Sequence, residues 1–152
     1  MKGNIPLTVM LADDDNDDCY LFEKALKKIP IATKLKIVSN GKDLMDYLFK
    51  NTTNLPDVLF LDLSMPQKTG YECLIEIKDD KKLQALHVAI FTTSFTRVIN
   101  VEHNLKKTLS DMGSQNYIRK PSSFKELTQV IYQELNKVIE KIDYKTKDKL
   151  EF

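Results

Sequence analysis

Val58-Leu59-Phe60-Leu61-Asp62-Leu63-Ser64-Met65-Pro66 places a single carboxylate inside an otherwise apolar run and closes it with turn residues. Val58 to Leu63, apolar but for that carboxylate, reads as a strand covered on both faces in a parallel sheet. Burying an unpartnered carboxylate there is costly. Asp62 therefore requires a cation or hydrogen-bond donors from elsewhere in the chain.

The same alternation of apolar runs and amphipathic segments extends outward in both directions. Upstream, Leu7 to Ala12 is another apolar run, followed by Asp13, Asp14 and Asp15. Cys19, Phe22, Leu26 and Ile29 then recur at helical spacing until Pro30 ends the helix. Leu35 to Val38 reads as a strand, and Ser39-Asn40-Gly41 turns into a helix with Leu44, Met45, Leu48 and Phe49 on its apolar side. Downstream, the loop from Ser64 to Gly70 leads to a helix carrying Leu74 and Ile77. His87 to Phe91 is the fourth strand, ending at Thr92-Thr93-Ser94. Val98, Ile99, Val101, Leu105 and Leu109 mark a fourth helix, with Gly113 as its stop. Gln115 to Ile118 is the fifth strand. The last helix starts at a Ser122 cap and carries Leu127, Ile131, Leu135, Val138 and Ile142. Asp143 to Phe152 is a charged tail expected to fray.

Five strand–helix units in alternation predict an α/β fold, a doubly wound parallel sheet with helices on both faces. One domain over residues 1–152 is expected, with its core at about 7–142. Hydrophobic residues make up 42% of the chain, enough for a packed globule. A net charge of +1 makes no electrostatic case for nucleic acid or an anionic membrane surface as partner. No apolar run reaches the roughly 20 residues of a membrane helix. The N-terminus runs from a short apolar stretch straight into acids, unlike a secretory signal. Cys19 and Cys73 both fall in helical apolar patterns and read as buried free thiols, so a cytoplasmic location is expected.

In open α/β sheets the functional site lies beyond the carboxyl ends of the strands, where strand order reverses. Those ends carry Asp13 and Asp14, Asp62, Thr92 and Lys120. Three carboxylates at one rim repel unless a cation joins them, and oxygen ligands without His or Cys suit a hard divalent ion such as Mg²⁺. A lysine and a hydroxyl opposite suit a phosphate. Each residue also has an ordinary reading. Asp13 to Asp15 could be helix-capping acids, Thr92 a strand-end hydroxyl, and Lys120 a surface lysine before a proline.

With these pieces in this order, the chain resembles the receiver domain of bacterial two-component response regulators. The matching stretches are Met10 to Asp15, Leu61-Asp62-Leu63-Ser64-Met65-Pro66 with Gly70, Phe91-Thr92-Thr93-Ser94, and Tyr117-Ile118-Arg119-Lys120-Pro121. The resemblance spans about Leu7 to Ile142 and implies a flavodoxin-like sheet of order 2-1-3-4-5 with five helices. It implies that Asp62 accepts a phosphoryl group from a sensor histidine kinase or phosphotransfer protein. Asp14 would bind Mg²⁺ (or Mn²⁺) directly, with Asp13 acting through water, Asp62 itself, and the Ser64 carbonyl. Thr92 and Lys120 would hold phosphoryl oxygens. Tyr117 would be the aromatic that changes rotamer as Thr92 moves, passing the signal to a downstream protein. The Lys120-Pro121 bond would be cis, as X-Pro permits.

Three features depart from the family pattern. Ser64 stands where Asn is frequent, the stretch from Thr92 to Lys120 is several residues longer than usual, and no effector domain is expected after the receiver. The longer stretch is expected to fall around Val98 to Ser114 and to alter partner choice. Two other functions are weighed. A phosphorylation-independent scaffold would be expected to lack one of Asp14, Asp62, Thr92 or Lys120. A haloacid-dehalogenase-type phosphatase would use Asp13-x-Asp15, but this chain has no room for the usual cap.

Overall fold

The computed structural model describes residues 5–93 and 106–150. The elements run β1 (Leu7–Ala12), α1 (Asn16–Lys28), β2 (Thr33–Val38), α2 (Gly41–Lys50), β3 (Val58–Leu61), α3 (Gly70–Asp79), β4 (Val88–Thr92), α4 (described over 106–111), β5 (Asn116–Arg119) and α5 (Phe124–Leu150). The strands form one parallel sheet in the order β2-β1-β3-β4-β5, so the doubly wound α/β expectation holds.

Successive strand residues point to opposite faces, and this period of two splits the core into two layers. Val9, Leu11, Val58, Phe60, Ala89 and Phe91 face α1 and α5. Met10, Ala12, Leu59, Leu61, Val88 and Ile90 face α2, α3 and Leu109 of α4. Both faces of the central strands are therefore apolar, which explains the unbroken runs in the sequence. Phe22, Phe60 and Phe91 meet edge to face on the α1 side, with ring centroids 5.0–6.0 Å apart.

The helix starts are chemically specified. Asp15 caps α1 by accepting from the Asp18 N–H, and Asn40 caps α2 by accepting from Asp43. Thr69 and Glu72 form a reciprocal capping box on α3. Gly113, at φ 102°, takes the left-handed turn after α4.

Several boundaries differ from the sequence reading. β3 stops at Leu61, so Asp62 follows the strand. The cap of α5 is Ser123, not Ser122, because Ser123 Oγ lies three residues before the Glu126 N–H that it accepts. The expected fraying from Asp143 does not occur within the described residues: α5 continues to Leu150. This stretch contains no Gly or Pro and extends a helix already nucleated by packed turns. Phe49 is 48% exposed, because it lies about 90° around α2 from the Leu44–Met45–Leu48 stripe. The Lys120-Pro121 bond is trans, since no cis peptide occurs among the described residues; strand pairing positions Lys120 without one. Val98, Ile99, Val101 and Leu105 lie outside the described residues, while Leu109 is fully buried as expected.

At the amino-terminal edge of the sheet, His87 Nε2 lies 2.7 Å from Glu134 Oε2, and Asn116 donates to Glu134 Oε1 at 2.7 Å. Lys141 Nζ lies 3.0 Å from His87 Nδ1. Burial pushes the Glu134 carboxyl up, but the hydrogen bonds from His87 and Asn116 outweigh it and hold Glu134 below its ordinary range. This polar cluster ties α5 to the starts of β4 and β5, and nothing in the residue pattern announced it.

Gly70 decides how closely α3 approaches the end of β3. A Cβ there would lie 2.2 Å from the Asp62 carbonyl oxygen, while the Gly70 N–H donates to Leu63 O at 3.0 Å. Backbone has to move to admit even a methyl group. Gly70→Ala should destabilise the fold by about 3 kcal/mol, at the upper end of overpacking costs. Chemical denaturation checks this, and a loss below 1 kcal/mol would contradict the contact.

Candidate functional site

The strand ladder carries one step past the strand ends and places the rim residues. The Asp13 N–H donates to Val38 O at 3.0 Å, the Asp62 N–H to Ala12 O at 3.0 Å, and the Lys120 N–H to Thr92 O at 2.9 Å. Three residues distant in sequence are thereby fixed at one rim by main-chain bonds. Thr92, the last residue of β4, is 1% exposed.

The side chains converge. Asp62 is 5% exposed; its Oδ1 accepts from Thr92 Oγ1 at 2.8 Å and from the Ser64 N–H at 3.3 Å. Its Oδ2 lies 3.5 Å from Lys120 Nζ. Asp13 Oδ1 accepts from the Asp15 N–H at 3.0 Å, and Asp13 Oδ2 lies 2.7 Å from Lys120 Nζ. Asp14 is exposed at the mouth. Carboxylate oxygens of Asp13, Asp14 and Asp62 all lie within 4.8 Å of one another. Tyr117 sits apart from this cluster on β5, packed toward the α2, α3 and α4 layer, with Lys106 Nζ 5.4 Å from its ring centroid.

One member escaped the sequence reading. Asp18, in the first turn of α1, lies 2.8 Å from Lys120 Nζ. The strand-end rule could not find it, because Asp18 comes from a helix. Its signal was five acids among the six residues from Asp13 to Asp18 around the α1 cap, which helix-dipole preference already explained. Phe91 was missed too; its ring lies beneath Lys120, 5.7 Å from Nζ.

Burial raises the Asp13 carboxyl to about 6, against the opposing effects of Lys120 and the Asp15 N–H. Lys120 moves the other way on balance. Burial disfavours its charge, but hydrogen bonds to Asp13 and Asp18 and the nearby charges of Asp13 and Asp62 outweigh this and raise its pKa. Cys19 and Cys73 are buried free thiols, pushed up by burial to about 11 and about 12, and so stay protonated. The oxygen-only donor set, with one member held above its usual pKa by burial, fits a hard divalent cation.

A family model, the response regulator receiver domain, matches residues 9–132. The chain belongs to this family. As a receiver it is a signalling domain of two-component response regulators. It is similar to the probable methanogenesis regulatory protein FilR2 of Methanothrix harundinacea, at 28% identity over 86% of this chain and 83% of that protein. It is similar to the response regulator Rcp1 of Synechocystis, at 28% identity over 86% of this chain and 87% of Rcp1. The Mn²⁺-bound crystal form of Rcp1 superposes with a TM-score of 0.72 and 26% identity, covering 84% of this receiver and 91% of that chain. The phosphorylated cyanobacterial phytochrome response regulator RcpA superposes with a TM-score of 0.72 and 28% identity, covering 85% and 91%. No described helix of this receiver is long and apolar enough to cross a membrane.

Asp13 gives the site a pH signature in metal-free protein. Its folded pKa of about 6 lies above the ordinary 3.8, so the native state binds the proton more tightly. That term stabilises the fold below about pH 4 and is lost as pH rises to about 6. In chelator, Asp13→Asn should flatten this fall and be the more stable protein at pH 7. Parallel denaturation curves of parent and variant across this range would rule the assignment out.

Proposed function

We propose that this receiver accepts a phosphoryl group on Asp62 from a phosphohistidine of a sensor histidine kinase or phosphotransfer protein, in a divalent-metal-dependent reaction. The observation that carries this reading is the surroundings of Asp62. It is a buried carboxylate with Thr92 Oγ1 on one oxygen, Lys120 Nζ near the other, and two further carboxylates within 4.8 Å. A cage of this kind exceeds what a structural carboxylate requires.

In the proposed step an Asp62 oxygen forms a bond to phosphorus while the P–N bond of the donor breaks. The electron pair leaves with the imidazole nitrogen, which takes up a proton. Lys120 and Thr92 supply donors to the phosphoryl oxygens, in a site already shaped for them. A Mg²⁺ or Mn²⁺ held by Asp13, Asp14, Asp62 and the Ser64 carbonyl would neutralise charge on the transferred group. Ser64 replaces a side chain that helps orient water in relatives, so its side chain bears on how long the acyl phosphate lasts. The crystal structures of Mn²⁺-bound Rcp1 and of phosphorylated RcpA support the reading by similarity.

The negative charge added to Asp62 then biases Thr92, whose hydroxyl already contacts the acceptor. Tyr117 lies on the neighbouring strand, paired with Ile90, two residues before Thr92 on β4. Movement of Thr92 and Tyr117 would couple the rim to the face formed by α4, β5 and α5, which binds a downstream protein in a cytoplasmic relay.

Acetyl phosphate with Mg²⁺ should add one phosphoryl group to the parent, read by intact mass, and none to Asp62→Asn. Thr92→Ala should slow the labelling by about tenfold or more through loss of a charge-stabilising donor. Full labelling of Asp62→Asn at another residue would overturn the proposal.

A further inference from the structure

Lys120 has three carboxylate neighbours. Its Nζ lies 2.7 Å from Asp13 Oδ2, 2.8 Å from Asp18 Oδ2 and 3.5 Å from Asp62 Oδ2. The ammonium meets Asp18 Oδ2 and Asp62 Oδ2 in hydrogen-bond geometry, while Asp13 Oδ2 is a close ion-pair contact, and the two short contacts lie on the side of β1 and α1. The acceptor is the most distant partner.

Asp18 differs from the other two. It is not among the residues that share a potential cation site. Its backbone is fixed by the α1 cap, where the Asp18 N–H donates to Asp15 Oδ1 at 3.0 Å. Its side chain is 35% exposed, against 0% for Asp13 and 7% for Asp62. The three partners therefore exchange at different cost. Withdrawing the ammonium from Asp13 leaves a buried charge uncompensated. Asp62 carries the arriving group. Asp18 alone can replace the ammonium with water.

We propose that Asp18 is a positioning residue that holds the Lys120 ammonium on the α1 side of the rim and competes with a phosphoryl group on Asp62 for it. The inference rests on Asp62 being the acceptor. Drawing the ammonium in from 3.5 Å to a phosphoryl oxygen on Asp62 pulls it away from Asp18, so the Asp18 contact weakens as the site loads. The strength of this competition sets how readily Asp62 is phosphorylated, through Lys120 and without contact between Asp18 and the reacting atoms. The ordinary role, an acid in the first helical turn favoured by the helix dipole, is shared with Asp17.

Asp17 is thus the control, because Asp17→Asn removes the same charge from the same turn. Initial rates of labelling by acetyl phosphate in Mg²⁺ are read by intact mass for the parent, Asp18→Asn, Asp17→Asn, Lys120→Ala and Lys120→Ala with Asp18→Asn. Asp18→Asn should label about threefold to fivefold faster, the range set by a partly exposed ion pair. Asp17→Asn should show a clearly smaller change, and Asp18→Asn should give no gain on the Lys120→Ala background. An unchanged or slower Asp18→Asn, an equal gain from Asp17→Asn, or the full gain without Lys120 each overturns the proposal. If Lys120→Ala labels too slowly to time, the ¹⁵N–¹H signal of the Lys120 ammonium decides: it should move with Asp18→Asn and not with Asp17→Asn, and an unmoved signal overturns the proposal. A parent that does not label at Asp62 removes the acceptor reading and this inference together. A labelled parent with an unaltered Asp18→Asn removes this inference alone.

Discussion

The Lys120 ammonium, 2.7 Å from Asp13 and 3.5 Å from Asp62, is the contact on which the rim depends. Two nearly buried carboxylates at adjacent strand ends would repel each other and suffer desolvation. One cation brought from the end of β5 offsets both effects. It also gives the sheet an electrostatic reason to close in this order, since β5 must arrive at the rim for the charge to be delivered. The raised carboxyl of Asp13 shows that the compensation is incomplete, and an incompletely neutralised carboxylate set is one that attracts a divalent cation.

The scaffold holds this arrangement by main-chain means. The bonds from Asp13 to Val38, Asp62 to Ala12 and Lys120 to Thr92 continue the sheet beyond its strands, so the reactive groups inherit the rigidity of the core. Beneath them, Phe22, Phe60 and Phe91 pack edge to face, and Phe91 also underlies the Lys120 side chain. Gly70 lets α3 pack directly against the Asp62 carbonyl. Stability and placement of Asp62 are therefore served by contacts on both faces at this end of the sheet.

The opposite edge is anchored by different chemistry. His87, Glu134, Asn116 and Lys141 form a polar cluster that fixes α5 across the starts of β4 and β5. Glu134 is 1% exposed and fully partnered, as a buried carboxylate has to be. α5 is thus held by polar bonds at one edge and by Leu127, Ile131, Leu135 and Val138 along its length.

The sequence by itself determined the fold class and the strand-end residues. Strands buried on both faces leave continuous apolar runs, and caps such as Asn40 and Thr69 are local chemistry that survives in a linear reading. Asp13, Asp14, Asp62, Thr92 and Lys120 were visible because each follows or ends such a run. Asp18 was not, since its contact with Lys120 spans 102 residues and one helical acid looks like its neighbours until the chain is folded. The His87 cluster was hidden for the same reason. Only the tertiary structure decided which of several chemically equivalent acids reaches the lysine, because that choice depends on distances between elements that no local preference encodes.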